Sequence, residues 1–391
     1  MSQRNMLGFA KSPSNTRVVV AMSGGVDSSV TAALLKEEGF EVIGLTLQLY
    51  DHGAAVQSPG ACCAGADIHD ARMVAAKLEF PHYVLDYESR FDTHVMQDFA
   101  DSYLRGETPI PCVRCNQTVK FTDLLKTARD LGADCLATGH YVRRVSDDKG
   151  QKLLRGADST KDQSYFLFST TPEQLDFLRF PLGDFDKKKT RELSSKFGLG
   201  ISDKPDSQDI CFVPNGRYGD VVRRLRPGAV EPGDIMHIDG TVLGQHNGTI
   251  DFTIGQRRGL RIGGRSGASD NEGPLYVVEI DTETNKVIVG PQWALACRDI
   301  KICDVNWINC SPKSGAKVLA QLRNAAPAVP ARAVPNEKHS NVWNLVLDRP
   351  QYGIAKGQAA ALFDINEEDR LLGGGWISDA PLLNLSSGCE V

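Results

Sequence analysis

The chain has no apolar run approaching the ~18 residues a membrane span needs, so no membrane partner is expected. The opening stretch, MSQRNMLGFAKSPSNTR, lacks the apolar core of a secretory signal. It is acid-free, as a transit peptide would be, but its shortness favours an untargeted, ragged N-terminus. A one-signed charge excess is also missing: 44 Lys+Arg stand against 49 Asp+Glu, a net charge of −5. That argues against a simple basic DNA-binding module but leaves room for a local basic surface. Repeats and low-complexity tracts are absent, and 41% hydrophobic with 24% charged residues is an ordinary globular balance. Disordered, collagen-like and coiled-coil chains are thereby excluded. Ten cysteines without a signal peptide do not read as a disulfide framework. They point to a reducing, cytoplasmic compartment, where a special cysteine is catalytic, redox-active or a metal ligand.

What is present divides in two. From Arg17 to about residue 200, strand-like and helix-like segments alternate. RVVVAM (17–22) is a short apolar run, as in a strand buried on both faces. A helix over 27–38 ends at Gly39. The spacing then predicts a strand over 41–50, a helix over 67–79, a strand over 82–86 and a helix over 93–104. A helix over 119–131 and a strand over 135–141 follow. Helical stretches at 163–168, 172–180 and 187–197 complete this half. Such alternation predicts a parallel sheet with helices on both faces. Beyond about 215, Gly, Pro and Asp punctuate short β-rich runs: DIMHI, TIDFTIG, LYVVEID and KVIVG, then VNWIN, KVLAQLR, VWNLVL, AAALFD and LLGGGWI. The expected domains are 1–215, 216–292 and 293–391.

The most specific motif is Ala21-Met22-Ser23-Gly24-Gly25-Val26-Asp27-Ser28-Ser29, between a predicted strand and a predicted helix. Two glycines permit close backbone approach. Ser23 and Ser28 offer hydroxyls, and the helix start offers unsatisfied N–H groups. It is not a Walker A loop, because no G-x-x-x-x-G-K-[ST] occurs and no lysine follows within it. The pattern resembles the PP-loop of ATP pyrophosphatases, which cleave ATP between the α and β phosphates. That resemblance implies ATP and Mg²⁺ as cofactors, with Asp27 as a Mg²⁺ partner. It also places adenine against the backbone of Leu47 and against Gly139 in Thr138-Gly139-His140-Tyr141.

Four further strings, PCVRCNQTVKF (111–121), KDQSYFLF (161–168), DSQDICF (206–212) and TIGQRRGL (253–260), resemble the tRNA-specific 2-thiouridylase family. The resemblance runs from about residue 17 to GGGWI near the C-terminus. It implies an α/β PP-loop domain (adenine nucleotide α-hydrolase-like), a small β domain and a C-terminal β-barrel-like domain. The implied reaction is ATP-dependent 2-thiolation of the wobble uridine in tRNAs for Glu, Gln and Lys. By resemblance Cys211 carries sulfur as a persulfide. Cys115 either releases sulfide from it or takes part in displacement, and a Cys115–Cys211 disulfide results. Arg114 and Lys204 are expected to lower the thiol pKa values.

The RNA contacts implied are Ile110, Pro111, Cys112, His140, Lys161, Asp162, Gln163, Arg323, Asn324 and Gln358. Arg143, Arg144, Arg155, Arg257, Arg258, Arg261 and Arg265 supply further cations. Expected partners are the tRNA anticodon arm and a persulfide sulfur-donor protein, without DNA. Two positions depart from the family. Cys112 stands where many members carry an Asp, and Asn324 stands where an aromatic is usual. The first departure creates a C-x-x-C with Cys115, which raises zinc or a redox pair. No second C-x-x-C or H-x₃-H completes a four-ligand zinc site, so no metal is assigned. Another PP-loop amidating ligase, an iron–sulfur-dependent tRNA thiolase and a non-catalytic tRNA-binding protein are the alternatives.

Overall fold

The computed structural model describes residues 4–50, 63–148, 150–206, 210–213, 217–262 and 273–383. Cys62, Arg265, Cys389, the Ser207-Gln208-Asp209 stretch and the expected boundary near 215 lie outside the described residues. Two compact units emerge. The first holds Met1–Val95, Cys112–Pro214 and Asp369–Leu371; the second holds Met96–Pro111, Asn215–Glu368 and Leu372–Val391.

In the first unit, β1 (Arg17–Ala21) leads into α1 (Val26–Glu37), then β2 (Glu41–Gln48), β3 (His82–Asp86) and β4 (Cys135–Ala137). A hairpin of β5 (Val142–Asp147) and β6 (Gly150–Arg155) precedes the short β7 (Leu178–Arg179). The sheet order is β3-β2-β1-β4-β7, with every pairing parallel. Val18, Val19 and Val20 are fully buried because β1 has a strand on each side and helices over both faces. α1 ends where Gly39 adopts φ +83° and donates its N–H to Lys36 O. The chain leaves β1 toward β2 on one side, while β4 lies on the other. The carboxyl ends of β1 and β4 therefore flank a topological switch point, where open α/β sheets bind ligands.

Three local expectations are corrected. The helix expected from residue 119 begins earlier, at Pro111. It runs as an α-turn to Cys115, a π-helical stretch over Asn116–Leu124 and an α-helix to Asp130. Proline is well suited to a first helical position, because it lacks an N–H that would go unbonded there anyway. The strand expected to Tyr141 stops at Ala137, and the β5–β6 hairpin follows, its faces too mixed in exposure to give clean alternation. In TIDFTIG, Thr249–Asp251 is a 3-10 turn, not a strand. Its apolar residues serve a loop whose Phe252 is buried in the small β core.

The second unit contains a four-stranded sheet of β8 (Gly233–His237), β9 (Val242–His246), β10 (Tyr276–Asp281) and β11 (Lys286–Gly290), ordered β10-β11-β8-β9. It also contains β12 (Ala296–Trp307), β13 (Ala316–Gln321), β14 (Val329–Pro335), β15 (Trp343–Tyr352), β16 (Ala359–Asp364) and, from Leu372 on, β17 (Arg370–Asp379). These six strands close into a barrel in the order β12-β15-β14-β13-β16-β17, with β17 returning to β12. Closure removes exposed strand edges, and Ile302, Leu345, Leu347 and Leu362 fill the interior. Among the described residues no helix is long and apolar enough to cross a membrane.

Candidate active site

The loop between β1 and α1 is shaped by its own hydroxyls. Ser23 N–H donates to Ser28 Oγ at 3.1 Å, and Ser28 Oγ donates to Gly25 O at 3.2 Å. Gly25 is the N-cap of α1 and makes no side-chain cap bond, an arrangement that suits an anion at the helix start. Gly24 has φ +74°, and a Cβ built there would lie 2.1 Å from Asp67 O. Gly139, just after β4, backs onto the same turn: a Cβ there would lie 2.8 Å from Asp27 C and 2.9 Å from Ser28 N. Its missing side chain thus lets the β4 end pack against the loop. Leu47 sits near the end of β2, in register with Leu85 of β3.

Two lysines remote in sequence reach this loop. Lys187 Nζ donates to both Asp27 oxygens, at 2.8 and 2.9 Å, and pairs with Asp206 at 2.8 Å. Tyr141 O–H donates to Asp27 Oδ1 at 2.7 Å. Burial and the nearby Asp27 push this phenol up, so it stays a donor. Lys204 Nζ donates to Gly24 O at 3.0 Å and pairs with Asp67 and Asp70 at 2.6 and 2.5 Å. Asp206 also binds Lys161 at 2.8 Å and Arg191 at 2.9 Å. Burial opposes its charge, but Lys161 and Lys187 outweigh that and hold the carboxyl down at about 2. One chain of charges therefore runs from the phosphate loop through Lys187 and Asp206 to Lys161. Sequence reasoning missed Lys187 and gave Lys204 a different role, beside the thiols, because neither lies in a motif with the loop.

The cysteine cluster lies in the same unit. Cys112 is exposed and Cys115 buried, both on the Pro111–Cys115 turn, and Cys211 is exposed. Cys115 and Cys211 are thiols. Tyr50 O–H donates to Cys211 O at 2.6 Å, and Phe212 packs edge-on against Phe91 at 5.7 Å. The next residue after the nucleophile candidate, Asn116, is buried; its Nδ2 donates to Phe166 O at 3.3 Å. That bond ties the π-helical stretch to the KDQSYFLF segment. Such π stretches often mark functional positions.

The expected lowering of the thiol values is overturned. Burial pushes Cys115 up, against the opposing charge of Lys120. Desolvation, then the neighbouring Cys115 and Cys112, push Cys211 up to about 12. Lys204 is engaged at the phosphate loop instead, and Arg114 Nη1 reaches Gln117 at 3.4 Å. Among the described residues, no group of three or more His, Cys, Asp or Glu side chains is arranged to hold a metal ion.

The residues expected at RNA behave differently from one another. Desolvation, with Lys120 nearby, pushes His140 down to about 3, so its ring is neutral. Its Nδ1 pairs with Thr138 Oγ1 at 2.8 Å, and its ring packs against Phe121 and Phe180. Asp162 accepts from Arg155, Ser164 and the Gly156 N–H, and Gln163 Oε1 accepts from the Tyr141 N–H. These bonds present Lys161 from a stiff turn. Arg143 and Arg144 are committed internally, to Asp369 and to Leu175 O with Asp176. In the second unit Arg323 and Asn324 are exposed, and their carbonyls accept from the buried Gln321. Gln358 Nε2 donates to Thr108 O at 2.9 Å. Ile110 and Pro111 belong to this second unit and Cys112 to the first.

Comparison with known proteins then decides the family. Residues 16–215 match the model described as a tRNA methyl transferase HUP domain, 222–291 its PRC-barrel domain, and 297–377 an aminomethyltransferase β-barrel domain. The tRNA-specific 2-thiouridylase MnmA of Rhodospirillum centenum is 62% identical over 374 residues, covering 95% of this chain and 94% of the relative. That of Hyphomonas neptunium is 57% identical over 379 residues, covering 96% and 94%. The chain belongs to the tRNA-specific 2-thiouridylase family. It is accordingly a tRNA-modifying enzyme, a sulfurtransferase, and its architecture is a parallel-sheet HUP domain followed by two β domains. The methyl-transferase wording of the domain model differs from the relatives' names; the relatives, matched along nearly the whole chain, decide between them. A solved 4-thiouridine synthetase–RNA complex with bound ATP is 17% identical, covering 54% of this chain and 51% of that one, with a TM-score of 0.33. That likeness is too slight to carry a conclusion.

Proposed function

We propose that this thiouridylase-family chain uses ATP and a cysteine persulfide to thiolate C2 of the wobble uridine, position 34, in tRNAs for Glu, Gln and Lys. The observation that carries the proposal is the placement, in one unit, of a hydroxyl-braced phosphate loop at the sheet's switch point and three clustered thiols. A uracil C2 carbonyl is a poor electrophile. Transfer of AMP from ATP to its oxygen creates a leaving group and releases pyrophosphate. Sulfur from the Cys211 persulfide then replaces that oxygen, and AMP departs. Whether Cys115 first frees sulfide or resolves the persulfide afterwards, Cys115 and Cys211 end as a disulfide.

The first N–H groups of α1, with the backbone over Ala21–Ser28, hold the phosphates; Leu47 and Gly139 border the adenine. Asp27 offers hard carboxylate oxygens of the kind Mg²⁺ takes, and Mg²⁺ is commonly held by one or two carboxylates plus substrate phosphates. When bound, the ion supplies charge neutralisation at the phosphates. Lys187 then exchanges part of its hold on Asp27 for phosphate. Lys161, Asp162, Gln163 and His140 meet the RNA in the first unit, and Arg323, Asn324 and Gln358 in the second, with Ile110, Pro111 and Cys112 near the target base. We assign domains to 1–215, 216–292 and 293–391, the last holding the anticodon arm. A separate protein supplies the persulfide, in a cytoplasm that keeps the thiols reduced.

Thiolation of an unmodified Glu-tRNA transcript tests this, with AMP and 2-thiouridine both quantified. Cys211→Ser is expected to retain product formation with free sulfide and to lose it with a persulfide donor. AMP release without thiouridine, indifferent to Ser at 115 and 211, would sink the proposal in favour of a PP-loop ligase with another substrate. Lys187→Met is expected to raise KM for ATP roughly 10–100-fold, the scale of a charge-assisted hydrogen bond of about 1.5–3 kcal/mol. Unaltered ATP kinetics in that variant would remove Lys187 from the phosphate site.

A further inference from the structure

Lys161 and Lys187 share one carboxylate. Asp206 Oδ2 takes Lys161 at 2.8 Å, and Oδ1 takes Lys187 at 2.8 Å and Arg191 at 2.9 Å. These cations are not equally tied. Arg191 also donates to the carbonyls of Ser202 and Lys204, which fix it in place. Lys161 makes no other ion pair among the described residues, and its side chain is 36% exposed. Lys187 is only 13% exposed and divides itself between Asp206 and both oxygens of Asp27. The Asp206 carboxyl, held down at about 2, stays ionised near neutrality.

We propose that Asp206 is a positioning residue that couples RNA engagement at Lys161 to ATP binding at Asp27, by drawing Lys187 off Asp27 when RNA takes Lys161. This rests on the ATP and tRNA reading proposed above. An ammonium as enclosed as Lys187 is costly to leave without a counter-charge. Asp27 is therefore released toward the phosphates only when another carboxylate takes Lys187 over. In the resting arrangement Asp206 does so with Oδ1 alone, because Oδ2 is occupied by Lys161. An RNA phosphate offers the exposed Lys161 a charge-assisted hydrogen bond of its own. Oδ2 is then vacant, and Lys187 moves its hold from Asp27 onto both oxygens of Asp206. An ammonium has three donors, so one N–H remains for an ATP phosphate.

Only hydrogen-bond partners change in this exchange; no proton is transferred and no covalent bond is made. Tyr141 O–H stays on Asp27 Oδ1 at 2.7 Å, which keeps the released carboxylate aimed. The coupling runs both ways, as linkage requires. With Asp27 engaged at the phosphates, Lys187 turns to Asp206 and loosens Lys161 for RNA. A purely bracing role for Asp206 predicts the opposite sign. Loss of Lys161 would then slacken the cluster and weaken ATP binding, whereas competition for Oδ2 makes loss of Lys161 strengthen it.

The test measures equilibrium binding to the full-length enzyme, with Mg²⁺ and α,β-methylene-ATP, which cannot be cleaved between the α and β phosphates. Calorimetric titration gives the Kd of this analogue with and without a saturating unmodified Glu-tRNA transcript. In wild type the transcript is expected to tighten the analogue roughly five- to tenfold, within the ordinary range of site-to-site coupling. Lys161→Met removes the competitor for Oδ2. It is expected to bind the analogue without tRNA as tightly as wild type binds it with tRNA. Asp206→Asn is expected to give one Kd whether or not tRNA is present. Thermal melting checks the fold of both variants, and Lys161→Met decides alone if Asp206→Asn does not fold. Wild-type or weaker affinity in Lys161→Met without tRNA overturns the coupling and leaves the ATP and tRNA reading standing. So does tightening by tRNA that is absent in wild type or that survives in Asp206→Asn. Failure of wild type to bind the analogue or the transcript overturns that reading, and the coupling with it.

Discussion

Cys115→Ser is expected to cut 2-thiouridine formation by roughly a thousandfold or more, since a hydroxyl cannot replace a thiolate nucleophile. AMP release driven by the tRNA should fall far less, because the phosphate loop and its lysines are separate from the thiol. Splitting the two half-reactions gives the variant its diagnostic value. Loss of both together would mean that Cys115 shapes the site, and retention of both would remove it from the chemistry. Its pH dependence is set by burial. A raised thiol carries little thiolate near neutrality, so thiolate-limited steps accelerate as pH rises. Cys211, pushed up to about 12, should react with iodoacetamide about tenfold faster per pH unit through the range from 7 to 10, as thiolate fraction dictates. A plateau below pH 9 in the resting enzyme would show an environment that stabilises the thiolate.

Gly24→Ala is expected to abolish ATP-dependent AMP release, by about a hundredfold or more, as displacement of catalytic geometry by an ångström does. Two costs act together. The φ of +74° disfavours any L side chain, and the new Cβ would sit 2.1 Å from the backbone oxygen of Asp67. The strain is about 1–3 kcal/mol, and overpacking adds about 1–3 kcal/mol. Asp67 belongs to the helix Cys63–Lys77 and pairs with Lys204, which itself holds Gly24 O. Relief by moving that helix therefore disturbs the lysine as well. Gly39→Ala separates the two costs. Gly39 has a similar φ of +83° with nothing within 4 Å of a built Cβ. It should lower Tm by a few degrees and leave AMP release intact. Equal activity loss in both variants would mean that backbone strain, rather than the Asp67 contact, governs the loop.

The loop between β1 and α1 was legible in the sequence because its parts are local. Ser23-Gly24-Gly25-Val26-Asp27-Ser28 is a strand–turn–helix segment whose hydroxyl, glycine and helix-start functions are all set within a few residues. The strings around Cys115 and Cys211 stood out by their resemblance to the family's motifs. The π-helical course after Cys115 was not legible, since helical spacing marked a helix only from residue 119, whereas the helix begins at Pro111. Thiol reactivity was misjudged for a different reason. Arg114 and Lys204 are near the cysteines in sequence, but their side chains go to Gln117 and to the phosphate loop.

The sequence by itself determined the parallel-sheet unit, the glycine-bearing β1–α1 loop, the β-rich second half and the family, because strand and helix periodicity and contiguous motifs are properties of neighbouring residues. The tertiary structure alone decided which charges meet. It brought Lys187 to Asp27, Lys204 to Gly24 O, and Asp206 between Lys161 and Lys187. It gave Gly139 its reason, a backbone approach too close for a Cβ, and it set an exposed Cys112 beside a buried Cys115. Electrostatic partnership and burial depend on distance through space and on the protein packed around each group. Residues far apart along the chain acquire both only when the fold closes.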